Sequence, residues 1–372
     1  MRENLKRLIP LILISFVPTL LIWIPFIFRL PEFWNIPLTQ NGLATIVSNF
    51  DGPLYLVVAK SFYSAEYIKA NFQFPLPVEY YVAHFPLFPI MIRVLGLLIN
   101  YPYAMLIVTL ASSVLALYFF NKLAKMYVSV NEALFLTTIF AIFPARWLIV
   151  RSVGSPEPFF VAAIIASLYY FKNKNFLWAG IWGALAQFTK SPAILLFASY
   201  IIYFIWQKKY EWKKYLPILF IPISLVLVFV YYFLATGDPL AYFHSGDNIH
   251  LFFPPFQIFN YSAPWVGTFW LEEVIFIYLI GTMGVYKLIA KKEYELASFA
   301  GIFFFSTLFV SHRDLMRYVL PIVPFLIIGF SEQLLKKEFK IALAIIVIPI
   351  YLFSLAFISQ NVMPIANWSP FL

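Results

Sequence analysis

Long uncharged apolar runs, separated by short connections that carry lysine, set the pattern of this chain. Residues 9 to 28 form the first run, and about 20 apolar residues suffice to cross a hydrocarbon core of roughly 30 Å. Further runs lie near residues 101–120, 133–149, 158–171, 176–189, 191–206, 215–235, 270–290, 296–310, 318–331 and 340–358. The pattern predicts an all-α polytopic membrane protein of about eleven transmembrane helices. Several runs are short, and a helix of 15 residues reaches only about 22 Å. The pair 176–189 and 191–206 reads either as two short spans or as a re-entrant hairpin with Lys190 at its tip. Two connections are long, residues 29–100 and 236–268. Within the first, 53–65 and 86–99 have helical apolar spacing and are expected to lie along or dip into the membrane interface. No stretch reads as a separate soluble domain, so residues 1–372 are expected to form a single transmembrane domain.

Composition agrees with that pattern. The chain is 62% hydrophobic and 12% charged, about half the charged fraction of a soluble domain. Arg2, Lys6 and Arg7 precede the first run, and Arg29-Leu30-Pro31-Glu32 follows it without a small-residue cleavage site. This reads as a retained anchor with a cytoplasmic N-terminus, and eleven spans then put the C-terminus outside. The connections alternate accordingly: 17 of the 26 basic residues fall on the cytoplasmic side. The net charge of +9 is thus an orientation signal and calls for no nucleic-acid partner. With no cysteine, thiol chemistry and Cys-ligated metals drop out.

On this topology all four aspartates (Asp51, Asp238, Asp247, Asp314) and all four histidines (His84, His244, His250, His312) face outward, which points to an extracytoplasmic site. Asp51 sits in Asn49-Phe50-Asp51-Gly52-Pro53, directly before an apolar helix. There it is equally a helix N-cap or a carboxylate at the mouth of a membrane cavity, able to accept a proton from a substrate hydroxyl. Arg151, Lys190, Arg313 and Arg317, with His312 adjacent, stand at the outer ends of spans. As a group they suit the phosphate of a lipid carrier. Arg146 reads as a snorkelling side chain. No metal-ligand spacing, P-loop or dinucleotide fingerprint occurs, so no metal and no cofactor are expected.

Taken in order, these segments resemble the GT-C superfamily of polytopic glycosyltransferases, and within it the PIG-V-type (GPI mannosyltransferase II-like) family. Phe50-Asp51-Gly52 with Tyr55 and Ala59 is similar to that family's aromatic-Asp-Gly-x-x-Tyr segment in the first external loop. His84-Phe85-Pro86-Leu87-Phe88-Pro89 with Arg93, Ser155 with Glu157, Thr189-Lys190, Gly237-Asp238-Pro239-Leu240-Ala241 and Arg317-Tyr318 match later motifs. Lys190 stands where an arginine is usual. The resemblance spans about residues 45 to 325.

The resemblance implies an inverting, metal-independent transfer of a sugar, usually mannose, from a polyprenyl-phosphate donor on the extracytoplasmic face. Asp51 would be the general base. Lys190, Arg151, Arg313, Arg317 and His312 would meet the donor phosphate, and Tyr55, His84, Glu157 and Asp238 would bind substrate. The partners it implies are the lipid-linked donor, a glycan, lipid or protein acceptor, and membrane lipids. The alternative is a transporter or flippase for a lipid-linked or amphipathic substrate, which would also place charges within the bundle.

Overall fold

The computed structural model describes residues 2–74, 76–208, 212–246, 249–263 and 271–372, the side chains of residues 2–7 and 212 excepted. Asp247, expected on the outer face, lies outside them, as do Lys209 and Glu211 of one basic connection. The first run is helix α1 (Arg2–Ile27), followed by a two-stranded antiparallel ribbon of β1 (Glu32–Phe33) and β2 (Ile36–Pro37). The long connection then folds into α2 (Leu43–Val47), α3 (Gly52–Ser61), α4 (Ala65–Asn71) and α5 (Leu87–Gly96). The central bundle comprises α6 (Tyr101–Ala124), α7 (Val130–Ile142), α8 (Ala145–Val150), α9 (Glu157–Lys172), α10 (Phe176–Thr189) and α11 (Ile194–Trp206). After α12 (Trp212–Tyr215) come α13 (Phe220–Thr236), α14 (Ala241–His244), α15 (Glu272–Ala290) and α16 (Tyr294–Thr307). The chain ends in α17 (Leu315–Val319), α18 (Val323–Gly329), α19 (Ser331–Leu334) and α20 (Lys337–Gln360).

All eleven apolar runs are helical, but their lengths differ from a set of eleven uniform spans. Among the described residues, five helical stretches are long and apolar enough to cross a membrane: Leu8–Ile27, Tyr101–Ala124, Lys213–Thr236, Glu272–Ala290 and Lys337–Gln360. Proline divides others. Pro144 separates α7 from α8, and Pro321 and Pro324 stand where the run 318–331 is divided between α17, a 3-10 turn and α18, because proline lacks the N–H that a continuing helix needs. At Lys190 the backbone is extended (φ −153°, ψ 141°), so 176–189 and 191–206 are two helices. Residues Gly180 and Gly183 let α10 approach the α13 segment closely. A Cβ at Gly180 would lie 2.0 Å from the Pro217 carbonyl oxygen, the small-residue contact typical of helices packed in lipid.

The exposed faces of α13, α15 and α20 carry Val226, Leu227, Leu234, Ile275, Phe276, Ile280, Ile341 and Ile345. Lipid is the solvent such faces require. The protein is an integral membrane protein. Helix α5 is half-buried, covering Phe88, Pro89 and Ile92 while Val94 and Leu97 are exposed. Helix α3 departs from the expected interfacial position. Its residues Gly52 to Ala59 are all buried, so it is a core element packed against α5 and α6.

The bundle has two polar ends. Helix α9 starts at Glu157, ion-paired to Lys190 at the end of α10, and finishes at Lys172, ion-paired to Glu293 beside the start of α16. Tyr127, just after α6, donates to the same Glu293 at 2.7 Å. Helix α20 runs from Lys337 to the Asp51 end, where the Asn49 amide donates to the Ile358 carbonyl at 2.8 Å.

Candidate active site

The turn that carries Asp51 is built by three neighbouring residues. Asn49 is fully buried, and its amide bonds the carbonyls of Thr45 and Ile358 while its backbone pairs with Val362. Phe50 adopts φ +48°, a left-handed conformation that is uncommon for a non-glycine residue. Gly52 is required by space: a Cβ would lie 2.5 Å from the Val47 carbonyl oxygen and 3.3 Å from that of Gly154. The turn thereby lies against the segment that leads into Glu157. Asp51 stands at the N-cap position of α3, yet its side chain makes no capping hydrogen bond. The capping reading is set aside, because the carboxylate turns toward Arg317.

Arg317 joins two carboxylates. Its Nη2 lies 3.2 Å from Asp51 Oδ2 and its Nε lies 2.7 Å from Glu157 Oε1. Lys190 Nζ lies 2.7 Å from the same Glu157 oxygen, and Ser155 Oγ donates to Oε2. Glu157 is almost fully buried, with 4% of its side chain exposed, whereas Lys190 is 27% exposed and Asp51 35%. Two carboxylates and two cations sum to zero charge. A buried carboxylate that took only one cation would leave the other to bear its desolvation cost unpaired. Asp51 Oδ1 has no partner among the described residues.

Tyr55 and His84 form the wall beside Asp51. Tyr55 is buried and meets His84 and Phe88 edge to face at 4.7 and 5.1 Å. The His84 carbonyl accepts from Tyr63 Oη at 2.5 Å, and its Nδ1 lies 3.3 Å from the Tyr81 carbonyl. Burial lowers the His84 pKa, and the nearby Asp51 charge only partly opposes it. For Asp51 burial acts upward, but Arg317 and His84 together outweigh it and hold the carboxyl below the ordinary aspartate value. Burial, with Glu157 and Asp51 nearby, pushes the Tyr55 phenol well up. The arrangement offers an ionised carboxylate with one oxygen unpartnered among the described residues, next to the cations Lys190 and Arg317.

Several solved structures share this architecture. A crystal structure of ArnT from Cupriavidus metallidurans bound to undecaprenyl phosphate aligns over 90% of the chain with a TM-score of 0.59 at 11% identity, covering 62% of its own length. The apo form of that protein aligns over 82% with a TM-score of 0.54 at 14% identity. The oligosaccharyltransferase of Archaeoglobus fulgidus, in complex with Zn and sulfate, aligns over 95% with a TM-score of 0.55 at 13% identity, covering 54% of its length. The fold is that of the GT-C membrane glycosyltransferases. At these identities the likeness is one of fold, and the chain spans about three fifths of those proteins or less. No protein-family model and no curated protein matches the sequence.

Within this GT-C fold, Asp51, Glu157, Lys190, Arg317, Tyr55 and His84 come together, although they are separated by up to 266 positions. The other expected site residues lie elsewhere. Arg151 is fully buried and donates to the Ala141 and Ser15 carbonyls and to Ser15 Oγ. It ties α1 to the end of α7, and its hydrogen bonds are to helix oxygens rather than to the Glu157 group. Arg313 is exposed. His312 accepts from the Asp314 backbone N–H at 3.0 Å and packs on His250 and Tyr318. Asp238 is bound up locally, 2.6 Å from His244 Nδ1 and 2.8 Å from the Leu240 N–H.

Arg146 departs from the snorkelling expectation. Its side chain is 12% exposed, lies 2.8 Å from Asp314 and stacks on the Phe357 ring at 3.7 Å. Burial, only partly countered by Arg146, raises the Asp314 pKa. The cue available in the sequence was Asp314 itself, a carboxylate three residues before Arg317. Nothing in the apolar run of α20 marked Phe357.

Proposed function

We propose that this protein transfers a sugar from a polyprenyl-phosphate donor to an acceptor hydroxyl, with Asp51 as general base. The observation that carries the reading is the state of Asp51: an ionised carboxylate with Oδ2 on Arg317 and Oδ1 without a partner among the described residues. As the acceptor oxygen attacks the anomeric carbon, its proton passes to Asp51. The bond from that carbon to the phosphate oxygen breaks, and the phosphate departs with the electron pair. Attack opposite the leaving group inverts the anomeric centre. Lys190 and Arg317 stabilise the charge growing on the phosphate, in the role that side-chain cations play at other developing oxyanions. Tyr55 and His84 line the sugar side.

Support for a lipid-linked donor comes from the shared fold with an ArnT structure that holds undecaprenyl phosphate. Mannose is the proposed sugar and the PIG-V-type family the proposed relationship. Both rest on the motif order, in which Phe50-Asp51-Gly52, Ser155-Glu157 and Arg317-Tyr318 supply residues of one cluster. The Asp51 end is proposed to face the extracytoplasmic side, since the opposite end gathers Lys172, Lys291 and the start of α20. Incubating purified protein with a panel of polyprenyl-phosphate sugars tests the reading. Release of polyprenyl phosphate together with a glycosylated product supports it, and intact donors across the panel count against it.

A further inference from the structure

Behind the ion cluster runs a pile of alternating charge and ring. The Arg317 guanidinium lies 4.6 Å from the centre of the Phe50 ring. Phe50 meets Phe357 at 5.4 Å, and Phe357 carries the Arg146 guanidinium at 3.7 Å on its ring. Arg146 in turn lies 2.8 Å from Asp314, whose backbone carbonyl accepts from the Arg317 N–H at 2.9 Å. The path therefore closes on itself, from Arg317 through two rings and an ion pair to the first turn of its own helix. Each guanidinium gains from the negative face of a ring, an attraction that strengthens where water is excluded.

The left-handed backbone at Phe50 gains a reason from this pile. A phenylalanine at φ +48° is held there by its surroundings, since the conformation is unfavourable for it in isolation. With the ring stacked under Arg317, the next residue, Asp51, meets the Nη2 of the same guanidinium.

We propose that Phe50, Phe357 and Arg146 are positioning residues that hold the Arg317 guanidinium against Asp51. Their catalytic meaning rests on the transferase reading; their effect on Asp51 does not. The charged and titratable groups around Asp51 are Arg317 and Tyr318 from α17, Glu157 from the start of α9, His84 before α5, and Tyr55 on α3. Only Arg317 bears on both carboxylates directly. When the rings no longer fix it, it keeps Glu157 through Nε and loses Asp51, the longer of its two contacts.

The experiment reads Asp51 without any turnover. The chain has four aspartates, so carboxyl-13C aspartate labelling of the full-length protein in nanodiscs gives few signals, and Asp51→Asn identifies the one that matters. In the unmodified protein the Asp51 signal titrates below the ordinary aspartate range. In Phe357→Leu its midpoint moves up by about one pH unit, the effect of losing an adjacent cation, while Phe357→Trp keeps it low. Phe50→Gly deletes the other ring and still accommodates a positive φ, so its midpoint also rises without backbone strain. An unmoved Asp51 midpoint in both Phe357→Leu and Phe50→Gly overturns the proposal. A moved midpoint in a protein that transfers no sugar leaves the positioning intact and removes the transferase reading alone.

Discussion

Arg317 touches Asp51 through one oxygen only: Nη2 lies 3.2 Å from Oδ2, and Oδ1 is left without a partner among the described residues. A carboxylate held in this way is ionised, oriented and still able to take a proton. Full bidentate pairing would have engaged both oxygens, and burial without a cation would have raised the pKa and favoured the neutral acid. The lowered pKa of Asp51 has a kinetic consequence. Its ionised form is fully present above the ordinary value and is lost as pH falls through the lowered one. The kcat/KM of the proposed transfer should therefore stay flat down to about pH 5. A pH–rate profile with an acid limb near neutrality would show that some other group is the base.

Glu157 is where the cluster is most sensitive. Glu157→Gln leaves Lys190 and Arg317 around one neutral side chain, and removing one partner of a buried ion pair costs about 3 to 5 kcal/mol. Thermal unfolding in detergent should start at a clearly lower temperature than for the unmodified protein. An unchanged midpoint would mean that the two cations find other partners.

Lys190 and Arg151 separate donor binding from structure. Lys190 is 27% exposed, so in the proposed phosphate role Lys190→Ala should weaken binding of a polyprenyl-phosphate probe by about tenfold, equivalent to roughly 1.4 kcal/mol. Arg151 is fully buried on carbonyls, so Arg151→Met should lower thermal stability and leave probe binding unchanged. The reverse pattern in a binding titration would return Arg151 to the phosphate group.

Gly52 links the motif to its geometry. A Cβ there would lie 2.5 Å from the Val47 carbonyl oxygen, so Gly52→Ala forces the Asp51 turn away from Gly154 and Glu157. Overpacking of this kind costs about 1 to 3 kcal/mol, and a calorimetric midpoint below that of the unmodified protein is the expected result. Equal midpoints would show that the turn relaxes freely.

The apolar runs made the helices legible, since each run is helical and the spacing of 86–99 gave the half-exposed α5. The breaks were less so. Hydropathy averages over a proline, so it shows 133–149 as one run where Pro144 makes two helices. The short helix α3 was read as interfacial because its surroundings come from α5 and α6, which lie outside any local window. At the site, Asp51, Lys190 and Arg317 stand out in the sequence as charges at apolar borders, and Glu157 enters only through its motif with Ser155. Their mutual pairing was hidden, because Asp51 and Arg317 lie 266 positions apart. Arg151 shows the converse: a basic residue at a span end that helix carbonyls satisfy. Arg146 and Phe357 were hidden for a plainer reason. An arginine beside a tryptophan and a phenylalanine in an apolar helix look the same whether they meet lipid or each other.

Side-chain cations are proposed to meet the leaving phosphate, and this is checked by chelation. Transfer measured with excess EDTA should equal transfer without it. Activity that disappears with EDTA and returns with a divalent cation would place a metal ion in that role.

The central claim is tested by comparing the unmodified protein and Asp51→Asn in one assay, with a polyprenyl-phosphate sugar as donor and mass spectrometry of released lipid phosphate and glycosylated acceptor. Unmodified protein should yield both products in equal amounts. Asp51→Asn should bind the donor as tightly and transfer at least about 100-fold more slowly, the contribution typical of a general base. Equal rates in the two proteins would contradict the assignment of Asp51.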